Sequence, residues 1–445
     1  MRATLILFLA ILSSGIVMAQ TDDNITTRWG QLAFASSQAD MHTLATPSTT
    51  ASNLLHGIHH LFLNVDADAF FYDVENSMPF AKGYTITGFR LTPTLNYGIN
   101  QRSRLRVGMD VSLFAGMDSL YSAKPVFSLI YMPTQWLIIT AGTINGGLHH
   151  DLGLPAYDPA RWITNPVENG LQIETDTRHW NSDTWLDWEH YLKPWTPDQE
   201  RFTMGSRHVV NFFKYTRSTG HPHPPCCAIP MAVHDTMNRD TIVSFVGDCF
   251  TPEQQSFNID IPFHFLASHR GGEVKTIDTN TVTTFNERIG LRLRYLKSNL
   301  LKGRTHRVQA DFPLYFYHLE DSQLDHGGKG FYPTLRYEFI NANINEQRGW
   351  CFHSTAGYWH GDHYFSNFGS PQFFSANSYS LLHLHASPSL SEDIRDMITA
   401  DIAFEHEFRD LKLGIQVNAF YDLTLQKTDF IFAFYMRFGG DFVIF

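Results

Sequence analysis

The sequence predicts an all-β protein, a transmembrane antiparallel up-and-down β-barrel of about 16 strands, in a range of about 14 to 18. Three observations predict it. Long segments alternate apolar and polar residues with a period of two, their polar faces carry charged side chains, and aromatic residues cluster near the segment ends. A period of two is typical of strands, and an apolar outside with a polar lumen is typical of membrane barrels.

The N-terminal residues predict export. Residues 1–19 combine Arg2, an apolar run and the small-residue site "VMA" before Gln20, as in a secretory signal peptide that is cleaved. Residues 20–55 are rich in Ser, Thr, Asn and Asp with little periodicity, so we interpret them as a flexible N-terminal arm or a plug segment. Residues 56–445 then form the barrel, and the expected location is the cell outer membrane.

The composition limits the classes of partner. The chain has 445 residues, a net charge of −11 and 17% charged residues, without clusters of Lys and Arg. This balance argues against a nucleic-acid partner. The expected partners are outer-membrane lipid and the outer-membrane insertion machinery, with other envelope proteins as candidates.

The polar faces of the alternating segments are predicted to line the lumen. "RLRVGMDVSLF" and "ERIGLRLRYL" show the pattern, in which arginines alternate with Leu, Val, Met and Ile. Facing charges of both signs would close the interior, whereas rings of charge would select solutes, and the pattern leaves both open. The predicted lumen-facing residues are Arg104, Arg106, Asp110, Glu174, Asp176, Arg178, Arg288, Arg292, Arg294, Arg336, Glu338, Asp401 and Glu405.

The expected number of strands is even. The pattern gives about 17 candidate strands, one of them beginning near residue 374, whereas bacterial single-chain barrels have an even number. Short and long loops alternate early in the chain, and the alternation fails around 216–255 and 360–373. We expect a wrong assignment in each region, and long loops near 145–170 and 216–255.

The loop near 145–170 is a candidate constriction of the lumen. It carries six titratable side chains, and Gly, Pro and Asn residues supply its turns. The alternative is a surface loop that only shields the rim. The six residues are His149, His150, Asp151, Asp158, Arg161 and Glu168.

Cysteine and histidine in the loop near 216–255 suggest a disulfide or a metal. An exported chain permits a bridge from Cys249 to Cys226 or Cys227, and the stretch "HPHPPCC" also offers metal ligands. We favour the bridged loop and expect no metal and no other cofactor. Lumen polarity accounts equally well for the histidines of "HGDH" at 360–363 and "HLH" at 383–385.

The C-terminal stretch "KTDFIFAFYMRFGGDFVIF" is predicted to be the last strand and the signal that the insertion machinery pairs with. Phe430, Phe432, Phe434 and Phe438 share one face. We expect the strand to continue through a bulge at Gly439–Gly440 to Phe445. The alternative ends the strand at Phe438.

The segments "YTITGFRLTPTLNYGINQRSRLRVGMDVSLF", "ITAGTINGGLHHDLGLPAYDP" and "TNPVENGLQIETDTRHWNSDTWLDWEHYL" carry a resemblance. Roughly residues 82–206 resemble an uncharacterised family of porin-like outer-membrane β-barrels from Bacteroidota. The resemblance implies a fold and a location, and it brings no catalytic residues with it.

Three hypotheses for function follow. The preferred one is passive or semi-selective passage of small polar solutes through the charged lumen. The alternative is a closed structural or accessory barrel subunit of a larger envelope complex. The third is an enzyme at the rim that acts on lipid or peptide. Because no spacing of Ser, His and Asp singles out a catalytic set, the prediction is that the chain is not an enzyme.

Overall fold

The computed structural model describes residues 61–443, with gaps at 78–81, 135, 178, 192–198, 219–230, 234–241, 245–252, 272–281, 300–302, 322–324, 344–347, 376–392 and 409–410. The predicted signal peptide and N-terminal arm lie outside these residues, as do Arg178, Cys226, Cys227, Cys249, "HLH" and Phe445. No helix in the described part of the chain is long and apolar enough to span a membrane.

The described chain consists mainly of strands, connected by turns and two inward-folded loops. The strands are β1 (Leu61–Glu75), β2 (Tyr84–Asn100), β3 (Ser103–Phe114), β4 (Ser122–Thr134), β5 (Leu137–Thr143), β6 (Asn169–Asp176), β7 (Trp180–His190), β8 (Glu200–Ser218), β9 (Met231–Val233), β10 (Ile242–Ser244), β11 (Glu253–Gly271), β12 (Val282–Asn299), β13 (Arg304–Asp321), β14 (Asp325–Phe331), β15 (Thr334–Asn343), β16 (Arg348–Asp362), β17 (Ile394–Phe408), β18 (Leu411–Asp422) and β19 (Lys427–Val443).

The main sheet is antiparallel and closes on itself through the pairing of β1 with β19. It contains 17 strands, and β9 with β10 forms a separate two-stranded sheet. β14 and β15 share one position between β13 and β16, and Tyr332 and Pro333 separate them. Proline cannot donate to a ladder, so an interruption at Pro333 is expected. The result is a closed barrel of 16 strands, which confirms the predicted fold and strand number.

The candidate strand near residue 374 is wrong. Pro371–Phe373 forms a 3-10 turn, and Phe373 and Phe374 are buried. The apolar side chains that resembled a strand belong to a loop that folds into the barrel. Removing this strand restores an even number.

Alternation sorts the barrel wall into two faces. Outward positions carry exposed apolar side chains such as Met109, Leu291, Ile402 and Phe434. Of the predicted lumen residues, all but Arg178 are described, and they lie on inward positions: Arg104, Arg106, Asp110, Glu174, Asp176, Arg288, Arg292, Arg294, Arg336, Glu338, Asp401 and Glu405.

The two ends of the barrel differ in their connections. The first strand begins and the last strand finishes at the same end of the barrel. Tight turns join β2 to β3, β4 to β5 and β6 to β7 at this end. The connections 144–168 and 363–393 leave from the other end. Because outer-membrane barrels have short periplasmic turns and long external loops, we call the second end the external end. The connection between β8 and β11 leaves from the end with short turns.

The last strand, β19, extends past Phe438 and has no bulge at Gly439–Gly440. β19 pairs with β1 in continuous register from Phe430 to Val443, through Gly439 and Gly440. The predicted bulge is therefore wrong, and so is a strand end at Phe438. Phe430 and Phe434 are exposed on the outward face, whereas Ile431 is buried on the inward face.

Candidate functional site

The loop 144–168 folds into the barrel. Gly147–His150 forms a 3-10 turn, and Asp151 ends it in the left-handed region with φ 48°. A one-turn helix, α1 (Arg161–Thr164), follows. Its Trp162 carbonyl accepts a hydrogen bond of 2.8 Å from Arg90 on the wall. The loop therefore fills the interior rather than shielding the rim.

His150 ties this loop to the barrel wall. Its Nδ1 lies 2.7 Å from Oδ2 of Asp183 on β7, and its Nε2 lies 3.1 Å from Oε2 of Glu168. The indole of Trp185 stacks on the imidazole with ring centroids 3.5 Å apart. Two carboxylates and an aromatic face all stabilise a positive charge at this position.

The charge state of His150 follows from these contacts. Burial alone would lower the pKa of His150, but the Asp183 and Glu168 carboxylates outweigh burial and raise the pKa to about 9. Burial acts to raise the pKa of Glu168, whereas the hydrogen bond and charge of His150 lower it below its ordinary value. His150 is thus an imidazolium at neutral pH with both nitrogens bonded. It cannot accept a proton from a substrate, so we interpret it as an anchor.

The other predicted constriction residues lie in the same loop. His149 Nε2 lies 2.7 Å from Oε1 of Glu174 on β6. Asp158 is half-buried, and desolvation raises its pKa to about 6 despite a hydrogen bond from the Ala160 amide and the nearby Arg161. Asp151 lies deeper, with Oδ2 3.7 Å from the Arg292 guanidinium. The structure therefore brings the loop residues against wall carboxylates and arginines.

A second inward loop, residues 363–375, packs on the first. The Asp158 amide donates to the Phe368 carbonyl at 2.5 Å, and the Ser370 amide donates to the Leu154 carbonyl at 3.0 Å. The Arg161 guanidinium lies 4.0 Å above the Phe368 ring. We call residues 144–168 and 363–375 together the two-loop plug.

The plug and the wall share a hydrophobic core at the external end. Trp359, Tyr364 and Phe373 are fully buried in this core, together with Ile163 from α1 and Tyr315 from the wall. Below it, charged lumen side chains pair across neighbouring strands. Arg294 with Asp260 and Arg307 with Glu338 both meet at 2.6 Å, and all four side chains are buried. Among the described residues these lumen charges link neighbouring strands of the wall.

A different arrangement lies on the outside of the barrel at the external end. His360 on β16 and Asp396 on β17 are direct cross-strand neighbours. Nδ1 of His360 lies 2.8 Å from Oδ1 of Asp396, and the Tyr358 hydroxyl donates to the same oxygen at 2.6 Å. We call His360 and Asp396 the rim pair.

The rim pair is accessible and faces outward. The His360 side chain is 45% exposed and that of Asp396 is 31% exposed. Trp359 and Arg395, next to them in sequence, are buried inside, and Ile394 and Ile398 are exposed on either side of Asp396. Nε2 of His360 bonds to no other described residue. A histidine with one nitrogen held by a carboxylate and the other open is the arrangement of a general base.

A second histidine at the rim differs in this respect. His363 lies in the left-handed region with φ 52°. Its Nδ1 lies 2.6 Å from Asp362 and its Nε2 lies 3.2 Å from Asp393, so carboxylates hold both nitrogens. In the described part of the chain, no three His, Cys, Asp or Glu side chains are placed to hold a metal ion. His360 is thus the rim histidine with the geometry of a base.

A model of the family described as Lipid A 3'-O-deacylase-type matches residues 53–234 and 240–445. The chain belongs to this family.

Membership in the Lipid A 3'-O-deacylase-type family corrects two predictions. The prediction that the chain is not an enzyme is wrong, because the family is described by an enzymatic activity. The resemblance to an uncharacterised porin-like family correctly implied an outer-membrane barrel. The family whose model matches is instead described by an enzymatic activity. An origin in Bacteroidota and cleavage of residues 1–19 stay predictions. No curated relative matches the sequence.

Solved structures similar to this Lipid A 3'-O-deacylase-type chain are outer-membrane barrels. OmpTdeltaL8 of Vibrio cholerae is 8% identical, covers 85% of this chain and 98% of its own, and has a TM-score of 0.40. OprD of Pseudomonas aeruginosa is 9% identical over 87% of this chain and 96% of its own, with a TM-score of 0.39. OccAB4 of Acinetobacter baumannii is 7% identical over 86% and 98%, with a TM-score of 0.36. At these TM-scores the similarity carries no argument about function.

Sequence reasoning missed the partner of His360. Lumen polarity does not account for His360 of "HGDH", because its side chain faces outward and the carboxylate that holds it comes from the next strand. The signal was present: in "IRDMI", Asp396 takes a position that alternation assigns to the outward face, between Ile394 and Ile398. A charged side chain at a lipid-facing position destabilises the folded barrel, so Asp396 at this position indicates a functional role.

Proposed function

We propose that this chain hydrolyses an acyl ester of a lipid in the outer leaflet, with lipid A as the substrate class that its family's description names. The observation that carries the proposal is the rim pair. It lies on the outward wall at the external end, where the headgroups and upper acyl chains of that leaflet reach it.

The chemistry assigns one role to each residue. Nε2 of His360 takes a proton from a water molecule as the water oxygen attacks the ester carbonyl carbon. Asp396 holds Nδ1 and stabilises the imidazolium that forms. The imidazolium then returns the proton to the leaving alkoxide as the C–O bond breaks, which yields a free fatty acid and an alcohol. General-base catalysis of this kind contributes about 10²- to 10⁴-fold in rate.

The filled interior supports a site on the outer wall. His150 is buried inside the barrel, whereas the rim pair is exposed on the outward wall. Passage of small polar solutes stays a prediction, which conductance of the purified protein in a planar bilayer tests. The closed accessory barrel also stays a prediction, tested by co-purification of a partner.

The test compares three variants in outer membranes and in purified form. Fatty acid release from lipid A, followed by mass spectrometry, should fall by at least about 100-fold in His360→Gln and by about 10-fold or more in Asp396→Asn. His363→Gln is the matched control, a neighbouring rim histidine whose nitrogens are both held, and it should stay within about threefold of wild type.

A folding control accompanies the activity assay. Undiminished release by His360→Gln, with all variants folded by heat-modifiable mobility on a gel, would exclude the rim pair as the site.

A further inference from the structure

A chamber lies inside the barrel below the plug. Asp151 and Leu154 of the plug bound it on one side, and inward side chains from β12, β13, β15, β16, β17 and β18 form the remainder of its wall. About 70 Å³ of this space is open to water molecules. One buried water needs about 10–15 Å³, so the chamber has room for several waters or one small molecule.

The chamber wall contains buried polar atoms that no described residue satisfies. They include Oδ2 of Asp151 in the plug, Nε of Arg288 on β12, Oε1 of Gln309 and Oδ1 of Asp311 on β13, and Oγ1 of Thr355 on β16. Arg288, Gln309 and Asp311 are each at least 94% buried. Buried polar side chains almost always have a partner, so several such atoms around one space point to an occupant.

The charges around the chamber balance. Three arginines line it, Arg288, Arg292 and Arg336, and three carboxylates line it, Asp151, Asp311 and Asp401. Arg288 and Arg292 both donate to Oδ2 of Asp311, the latter at 3.2 Å, which leaves Oδ1 of that carboxylate turned away from them. The carboxylates would repel an anion in the chamber, and the guanidinium groups would repel a cation. A neutral occupant avoids both repulsions.

The unsatisfied atoms define the occupant's chemistry. Oδ2 of Asp151, Oε1 of Gln309 and Oδ1 of Asp311 only accept hydrogen bonds. Nε of Arg288 only donates, and the Thr355 hydroxyl does either. Hydroxyl groups both donate and accept, so several on a short carbon chain satisfy this set. We propose that the chamber is a binding site for a small neutral polyol of about the size of glycerol. This inference is independent of the rim pair.

The experiment measures glycerol binding to the purified full chain in detergent by saturation-transfer NMR and equilibrium dialysis. Wild type should bind glycerol saturably, 1,3-propanediol more weakly because it lacks one hydroxyl, and glucose not at all because it is too large. Vesicles of phosphatidylglycerol should not compete, since a glycerol headgroup attached to lipid cannot enter the interior. Competition by the vesicles would place the glycerol site on the lipid face and overturn the proposal.

Two near-isosteric variants separate binding from folding. Gln309→Leu and Thr355→Val remove unsatisfied atoms, so the empty barrel should fold as before while glycerol affinity falls at least tenfold. Thr140→Val is the matched control, because Thr140 Oγ1 on β5 is also buried and unsatisfied among the described residues but lies outside the chamber. It should bind like wild type.

Asp396→Asn should also bind glycerol like wild type, since the rim pair lies on the outer wall. No saturable binding by wild type, or equal affinity in wild type, Gln309→Leu and Thr355→Val, would mean that the chamber holds only water and would overturn the proposal.

Discussion

Replacing His150 with Gln should weaken the barrel in a way that depends on pH. Gln keeps hydrogen-bonding capacity but removes the positive charge between Asp183 and Glu168. The pKa of His150 rises from an ordinary 6.5 to about 9 in the folded chain. That difference corresponds to about 3 kcal/mol of stabilisation of the folded state, at order-of-magnitude precision.

The sign of the pH dependence follows from the direction of each pKa change. The folded pKa of His150 is raised, so its contribution is fully present below about pH 6.5 and is lost as the pH rises through about 9. The folded pKa of Glu168 is lowered, so its contribution is present above about pH 4.5 and is lost as the pH falls through the lowered value. The anchor is therefore strongest between these limits.

The assay is urea unfolding of the full chain in phospholipid vesicles between pH 6 and pH 10.5. The free-energy gap between wild type and His150→Gln should be about 3 kcal/mol at pH 6 and should shrink below about 1 kcal/mol at pH 10.5. His149→Gln is the control, and its gap should be smaller because the His149 side chain is 25% exposed. A gap that stays equal at both pH values would refute the ionic anchor.

Three further substitutions test the faces and the packing of the wall. Leu291→Arg places a charge on the lipid face and should cost about 2–4 kcal/mol near the midplane, measured by the same unfolding. Asp260→Ala should cost about 3–5 kcal/mol, because it leaves the buried Arg294 without its 2.6 Å partner. Gly205→Ala should lower stability by about 1–3 kcal/mol, since its new Cβ would stand 2.1 Å from the Trp185 ring; fluorescence of Trp185 should report the displacement.

The barrel wall was predictable because its signal is local. In strands such as β12 and β13 a two-residue period assigns each side chain to lipid or lumen, and neighbours in sequence are neighbours in the sheet. The even parity of bacterial barrels then corrected the count from about 17 to 16.

The interior was not predictable in the same way. The aromatic residues of 364–374 resemble a strand in sequence, yet they pack against Trp359 and the loop that contains Tyr157. A loop that folds inward must bury apolar side chains, and composition alone does not say whether lipid or the protein's own interior covers them. Pairing of His150 with Asp183 is likewise a contact between a loop and a wall strand that no spacing encodes.

The error about enzymatic activity has a physical origin as well. A short spacing within the sequence does not reveal this pair, because His360 and Asp396 meet across two neighbouring strands and lie 36 positions apart. A closed barrel affects where lipid chemistry can occur, because lipid surrounds its outward wall whereas the two-loop plug packs into its interior. Most described positions of that wall are apolar, and at its external end His360 and Asp396 form a hydrogen-bonded pair of a histidine and a carboxylate.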